Sequence, residues 1–243
     1  MKNELYHGDC LKFLATLPDT SVDALITDPP YASGGLHMGA RQKAPSKKYT
    51  QRCTSTPFAE FTGDHRDQRS QLAWYGLWLG DAYRVLKDGA PVCLFTDWRQ
   101  LPLTTDALQV AGFTWRGIAV WDKTEGVRPQ LGRFRAQAEY IVWGSKGQMP
   151  LQRNAATLPG VFREPVRQAD KFHMTGKPTE LMRQVVRTCE HGGVILDPFV
   201  GSGTTLVAAE LEGYRWLGSE MLEQNVLIAN ERLQAAQALG VQG

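Results

Sequence analysis

The sequence predicts a single α/β domain of the doubly wound, Rossmann-like kind, with seven strands in a mixed sheet and helices on both faces. Three observations predict it. Apolar strand-like runs alternate with segments of helical periodicity along most of the chain, the pattern of crossover-connected strands. Residues 194–220 read as strand, glycine-rich turn, helix, strand and acid, the layout of a nucleotide-binding βαβ unit. The chain has 243 residues and is 42% hydrophobic, enough to bury one full core.

The elements follow in order. Glu4–His7 is a short strand that runs into Gly8-Asp9. Asp9 is placed either to cap a helix over 10–17, which Pro18 ends, or to meet a ligand at a strand tip. Residues 22–27 make a second strand, ending in Asp28-Pro29-Pro30-Tyr31. Each proline lacks a backbone N–H and fixes its own φ, so neither continues the ladder. Their carbonyls stay available as acceptors beside the Asp28 carboxylate, with the Tyr31 ring as a stacking face. Three acceptors and a flat ring suit a planar group bearing an NH2, such as the amino edge of a nucleobase. An ordinary strand-end turn is the alternative.

Residues 32–67 lack clean periodicity and carry Arg41, Lys43, Lys47, Lys48 and Arg52, with no acid between Arg41 and Thr56. They read as a flexible basic loop, either merely solvated or closing over DNA phosphates and the active site. Residues 67–86 have the periodicity of a helix, whose Trp74, Tyr75 and Trp78 are read as core. A strand over 90–96, a helix over 103–111 ended by Gly112, and strands over 113–121 and 140–143 come next. The connection 124–138 between the last two carries Arg133 and Arg135, and 144–171 is irregular, broken by Pro150, Pro159, Gly160 and Pro165. A helix over 179–187 and a strand over 194–196 lead into Asp197-Pro198-Phe199-Val200-Gly201-Ser202-Gly203-Thr204-Thr205. Then come a helix over Thr204–Leu211, a strand over 216–219, Glu220 and a closing helix over 222–238.

In the second half, Gly201 and Gly203 are expected to let a ligand approach the backbone, and the helix beyond them offers N–H groups to an anionic group. Glu220, 17 residues after Gly203, stands where an acid accepts two ribose hydroxyls. Asp197 is placed to hold an ammonium while the helix N-terminus holds a carboxylate. S-adenosyl-L-methionine has the ribose and that zwitterionic moiety. NAD and ATP lack the ammonium, and the turn has no Lys for a P-loop.

Net charge is +2 and the pI about 8.3, which permits a nucleic-acid partner without requiring one. Cys10, Cys53, Cys93 and Cys189 are scattered without a CxxC pair, which argues against a zinc knuckle or disulfide framework and fits a reducing compartment. No metal is expected. No apolar run approaches the length of a membrane span, and an intracellular protein with no membrane partner is the expectation.

With Asp28–Tyr31 preceding Asp197–Thr205, and His173-Met174-Thr175-Gly176-Lys177-Pro178 just upstream of the second motif, the sequence resembles the beta-class amino DNA methyltransferases. These make N6-methyladenine or N4-methylcytosine. The resemblance spans most of the chain. It implies a circularly permuted seven-stranded sheet, in which the first two strands of the donor half come last, with inserted recognition loops.

It further implies S-adenosyl-L-methionine as cofactor and double-stranded DNA as partner, with the target base flipped out. Asp28 and the Pro29 carbonyl would accept the amine hydrogens, with Pro30 and Tyr31 completing the catalytic turn and Tyr31 stacking on the base. Asp9 would lie near the donor adenine, with Cys10 beside it in the cofactor site, and Lys177, Thr204 and Thr205 near the methionine carboxylate. Asp197, Phe199, Gly201, Ser202, Gly203 and Glu220 would complete the donor site. Residues 123–172 are the expected target-recognition region, and Arg41–Arg52 with Arg133 and Arg135 the expected DNA contacts. Asp at position 28 leans toward adenine, since Ser is commoner in the cytosine enzymes. Leu222 and Asn225 depart from the family's usual Asp and Tyr. A cytoplasmic, bacterial or phage-encoded, restriction-type enzyme is implied, with a homodimer as an open alternative to the monomer.

Overall fold

The structure is a computed structural model, and it describes residues 2–30, 66–129, 131–166 and 176–240. Chain order is β1 (Glu4–His7), α1 (Cys10–Thr16), β2 (Ala24–Thr27), α2 (Gln68–Val85), β3 (Pro91–Thr96), α3 (Leu101–Val110), β4 (Thr114–Asp122) and β5 (Ala138–Ser145). It continues with β6 (Val161–Arg163), α4 (Thr179–Val186), β7 (Val194–Asp197), α5 (Thr204–Leu211), β8 (Arg215–Glu220) and α6 (Glu223–Gly240). All fourteen lie in one Rossmann-like layer arrangement around a single mixed sheet of order β1-β8-β7-β2-β3-β5-β4-β6.

The strands show why. Along β2, Ala24 and Ile26 face one core cluster and Leu25 the other. Along β3, Cys93 and Phe95 alternate in the same way with Val92 and Leu94. A strand buried on both faces reads as a continuous apolar run, because the side-chain period is two and both sides are covered. α1, α2 and α3 cover one face through Phe13, Leu14, Tyr75, Trp78 and Leu108. α4, α5 and α6 cover the other through Leu181, Met182, Leu206, Ala229 and Leu233. Trp74, Tyr75 and Trp78 form a ring cluster with Phe199, the Trp78 and Phe199 centroids 5.0 Å apart edge to face.

β1, β8, β7, β2 and β3 run parallel, and β5 is antiparallel to both β3 and β4. The βαβ unit β7-α5-β8 comes last in sequence yet lies beside β2 in space, as the permuted order requires. Strand order reverses between β7 and β2, and this is the switch point at which a doubly wound sheet opens a crevice. One expectation is corrected. The sheet has eight strands among the described residues, the extra one being β6, parallel to β4 at the sheet edge. It lies inside the segment read as irregular. Three residues bounded by Gly160 and Pro165, with only Phe162 buried, carry too little alternation to be seen. No described helix is long and apolar enough to cross a membrane.

Candidate active site at the switch point

β2 delivers Asp28 to the crevice. Its Oδ2 accepts a 2.6 Å bond from the Lys177 ammonium, while Oδ1 is buried and has no hydrogen-bond partner among the described residues. Burial pushes the Asp28 carboxyl up from its ordinary value, the Lys177 charge holds it down in part, and Glu139 adds to the rise. Lys177 is itself buried and lies 3.4 Å from Glu139 Oε2. Burial works against that ammonium, but Asp28 and Glu139 outweigh it and raise its pKa. Glu139 Oε1 in turn takes a 2.8 Å bond from Lys123, so charges alternate along Asp28, Lys177, Glu139 and Lys123.

The turn beyond Asp28 is clamped from α2. Gln71 is fully buried, and its Nε2 donates a 2.6 Å bond to the Pro30 carbonyl, so that carbonyl is not free as the sequence suggested. Sequence reasoning missed Gln71, because a lone amide on an apolar helix face carries no motif.

β7 ends at Asp197, 1% exposed. Thr27 Oγ1 and the Phe199 N–H both donate to its Oδ1, at 2.6 and 3.0 Å. Burial pushes its carboxyl up to about 6, with Asp28 adding to the rise, against hydrogen bonds from Thr205, Thr27 and Phe199 that hold it down. Past it, Gly201 (φ 54°) and Gly203 (φ 89°) turn the chain into α5. The two glycines have different reasons. A Cβ on Gly201 would meet nothing within 4 Å, so that side of the turn is open. A Cβ on Gly203 would sit 2.9 Å from the Ala229 Cβ, so Gly203 is needed for the approach of α6.

Glu220 at the end of β8 accepts from Gly201 N at 2.9 Å through Oε2, and from Leu222 N at 2.9 Å and Asn225 Nδ2 at 3.3 Å through Oε1. It organises the turn as well as facing it. Asn225, a departure from the family pattern, holds this carboxylate. Arg232 of α6 reaches the same turn, donating to Ser202 O at 2.6 Å, Thr204 Oγ1 at 3.0 Å and Thr179 Oγ1 at 3.2 Å. The Thr204 hydroxyl is thus taken up by an arginine that no motif announced.

Asp9 caps α1, accepting from Leu11 N at 2.9 Å and Lys12 N at 3.3 Å. It also stands at the tip of β1, where Gly8 N donates to Glu220 O, so cap and strand-tip readings describe one position. Cys10 is buried, and burial beside Asp9 pushes its thiol up to about 12. Lys177, read as a donor-site residue, is placed by the structure on the carboxylates of Asp28 and Glu139. Arg133 and Arg135 are exposed, and Arg135 Nη1 donates to the carbonyls of Glu125 and Val127, closing its own loop. Tyr31, Arg41, Lys43, Lys47, Lys48, Arg52 and His173 lie outside the described residues.

The carboxyl ends of β1, β8, β7 and β2 therefore bring together an open glycine turn with its acid and a carboxylate with one free oxygen. This is a doubly wound α/β protein whose polar residues gather at the switch point of its sheet. A family model described as DNA methylase, of the N6/N4 type, matches residues 22–231. The Escherichia coli (strain K12) protein YubD is 32% identical over 237 residues, covering 97% of this chain and 92% of YubD. The type II methyltransferase M.HinfI of Haemophilus influenzae is 27% identical over 259 residues, 95% of this chain and 68% of its own. Among solved structures, the cytosine-N4-specific PvuII DNA methyltransferase superposes with a TM-score of 0.72 at 17% identity, covering 96% of this chain and 86% of that one. The chain belongs to the N6/N4 DNA methylase family.

Proposed function

We propose that the chain is a DNA methyltransferase that uses S-adenosyl-L-methionine to methylate the exocyclic N6 amine of adenine in double-stranded DNA after base flipping. The observation that carries it is the Asp28 carboxylate, held through Oδ2 by Lys177 and left without a hydrogen-bond partner at Oδ1 among the described residues.

The residues present fit the donor. Gly201 leaves room for a ligand against the backbone, and Glu220, already accepting three hydrogen bonds, keeps an acceptor position on Oε2 for a ribose hydroxyl. The Asp197 carboxylate, raised by burial, gains from an ammonium beside it. When bound, S-adenosyl-L-methionine supplies an electrophilic methyl group. Asp28 Oδ1 and the Pro29 carbonyl accept the two amine hydrogens. That lets the nitrogen pyramidalise and frees its lone pair, and it stabilises the positive charge growing there. Afterwards Asp28 takes up the surplus proton or passes it to water. A carboxylate suffices, since a methylated, protonated ring amine is strongly acidic. Tyr31 is assigned the stacking face for the flipped base, worth roughly 1–3 kcal/mol in single-strand binders.

Aspartate at position 28 favours adenine over cytosine. The test is transfer of methyl label to unmethylated DNA, followed by digestion to nucleosides. Label in N6-methyladenine is expected. Label in N4-methylcytosine keeps the mechanism and corrects the base. Absence of label in DNA overturns the reading.

A further inference from the structure

We propose that Lys177 is a positioning residue of the acceptor site: its ammonium fixes Asp28 through Oδ2 and so aims Oδ1 at the amine, with Glu139 of β5 holding the lysine and Lys123, just past β4, holding Glu139. The proposal rests on the reading of Asp28 as the amine acceptor. It takes Lys177 out of the donor site, where its motif had put it.

The geometry carries it. The Lys177 ammonium lies 2.6 Å from Asp28 Oδ2 and 3.4 Å from Glu139 Oε2, and Lys123 lies 2.8 Å from Glu139 Oε1. Two lysines and two carboxylates balance to zero charge. A buried ammonium already between two anions is poorly placed to take a third, the carboxylate of a methionine moiety. Below it lies the Phe95 ring, its centroid 5.4 Å from Nζ, which closes the apolar side and favours a cation there.

Asp28 Oδ1 is buried without a hydrogen-bond partner among the described residues, while Glu139 Oε2 is taken up by the ion pair with this lysine. Among the described residues, the charged groups facing Asp28 are Lys177, Glu139 and Lys123, with Asp197 at the end of β7. Lys177 and Lys123 favour its ionised form, while Glu139 opposes it. Removing Lys177 must therefore move the acidic limb of the rate profile to higher pH, and removing the Glu139 charge must move it lower. A merely structural role gives no such pair of opposite shifts.

The experiment compares Lys177→Met, Lys177→Arg and Glu139→Gln with the wild-type chain. S-adenosylhomocysteine binding is measured by calorimetry, and single-turnover label transfer to DNA at saturating donor is measured across pH. Lys177→Met is expected to bind S-adenosylhomocysteine within about threefold of wild type while transfer falls about a hundredfold. Lys177→Arg is expected to recover about a tenth of the rate or more, since it restores the charge but not the geometry. If Lys177→Met does not fold, Lys177→Arg and Glu139→Gln decide through the same two readouts.

A loss of S-adenosylhomocysteine affinity of about tenfold or more, with transfer restored by excess donor, overturns the assignment and returns Lys177 to the donor site. An acidic limb unmoved in Glu139→Gln overturns it as well. A wild-type chain that transfers no label is a failure of the methyltransferase reading instead, and the calorimetric comparison still decides where Lys177 acts.

Discussion

Thr27 Oγ1 donates a 2.6 Å hydrogen bond to Asp197 Oδ1, joining the end of β2 to the end of β7 across the point where strand order reverses. Both residues are fully buried or nearly so. Thr27 immediately precedes one motif and Asp197 opens the other, and the bond fixes the carboxylate assigned to the donor next to the strand that delivers Asp28. Thr27→Val keeps the shape and removes the donor, leaving the buried Asp197 carboxylate short of one partner. A destabilisation of about 1–3 kcal/mol is expected, together with weaker donor binding. Denaturant melts and calorimetry check the two parts separately.

Asp197 also predicts a pH dependence. Its folded-state pKa is about 6 against an ordinary 3.8, so the folded state prefers the protonated form. The stability it contributes is present below pH 3.8 and is lost as pH rises through about 6. Asp197→Asn removes that titration. The stability difference between variant and wild type should move in the variant's favour by about 3 kcal/mol at most between pH 4 and pH 7. A flat difference across that window removes the buried-carboxylate account.

The glycines predict a contrast. Gly203→Ala drives a Cβ to 2.9 Å from Ala229 at a positive φ, and should destabilise by about 1–3 kcal/mol by pushing α6 away. Gly201→Ala meets nothing, so its stability cost is about 1–2 kcal/mol from φ alone, while its methyl intrudes where the donor is proposed to lie. Thermal melts and S-adenosylhomocysteine calorimetry should rank the two variants in opposite order.

Gln71→Met removes the clamp on the Pro30 carbonyl while keeping volume. Turnover should fall about tenfold or more with donor affinity unchanged, because the catalytic turn loosens and the glycine turn does not. Equal losses in both would place Gln71 in general packing.

How much of this was legible in the sequence follows from the range of the interactions. β2, α5 and β7 were readable because apolar runs, glycines and caps act within a few residues. β6 was not, since a three-residue edge strand is decided by its pairing with β4. At the site, Asp28 was marked by its Asp-Pro-Pro-Tyr turn and Glu220 by its spacing from the glycine turn. Gln71, Arg232 and Glu139 were invisible, because the Gln71–Pro30, Arg232–Ser202 and Glu139–Lys177 contacts each join residues far apart in the chain that no local pattern connects. Gly203 was legible as a needed glycine, but its packing reason was not, since Ala229 lies 26 positions on and its approach is a tertiary fact.

The most direct measurement is single-turnover methyl transfer to DNA by Asp28→Ala, with S-adenosylhomocysteine binding to the same variant by calorimetry. Asp28 lies on the acceptor side of the Thr27–Asp197 bond, away from the glycine turn. The account predicts transfer lost and donor binding within about threefold of wild type. Transfer near the wild-type rate would contradict it, and so would a collapse of donor binding in a variant that still folds.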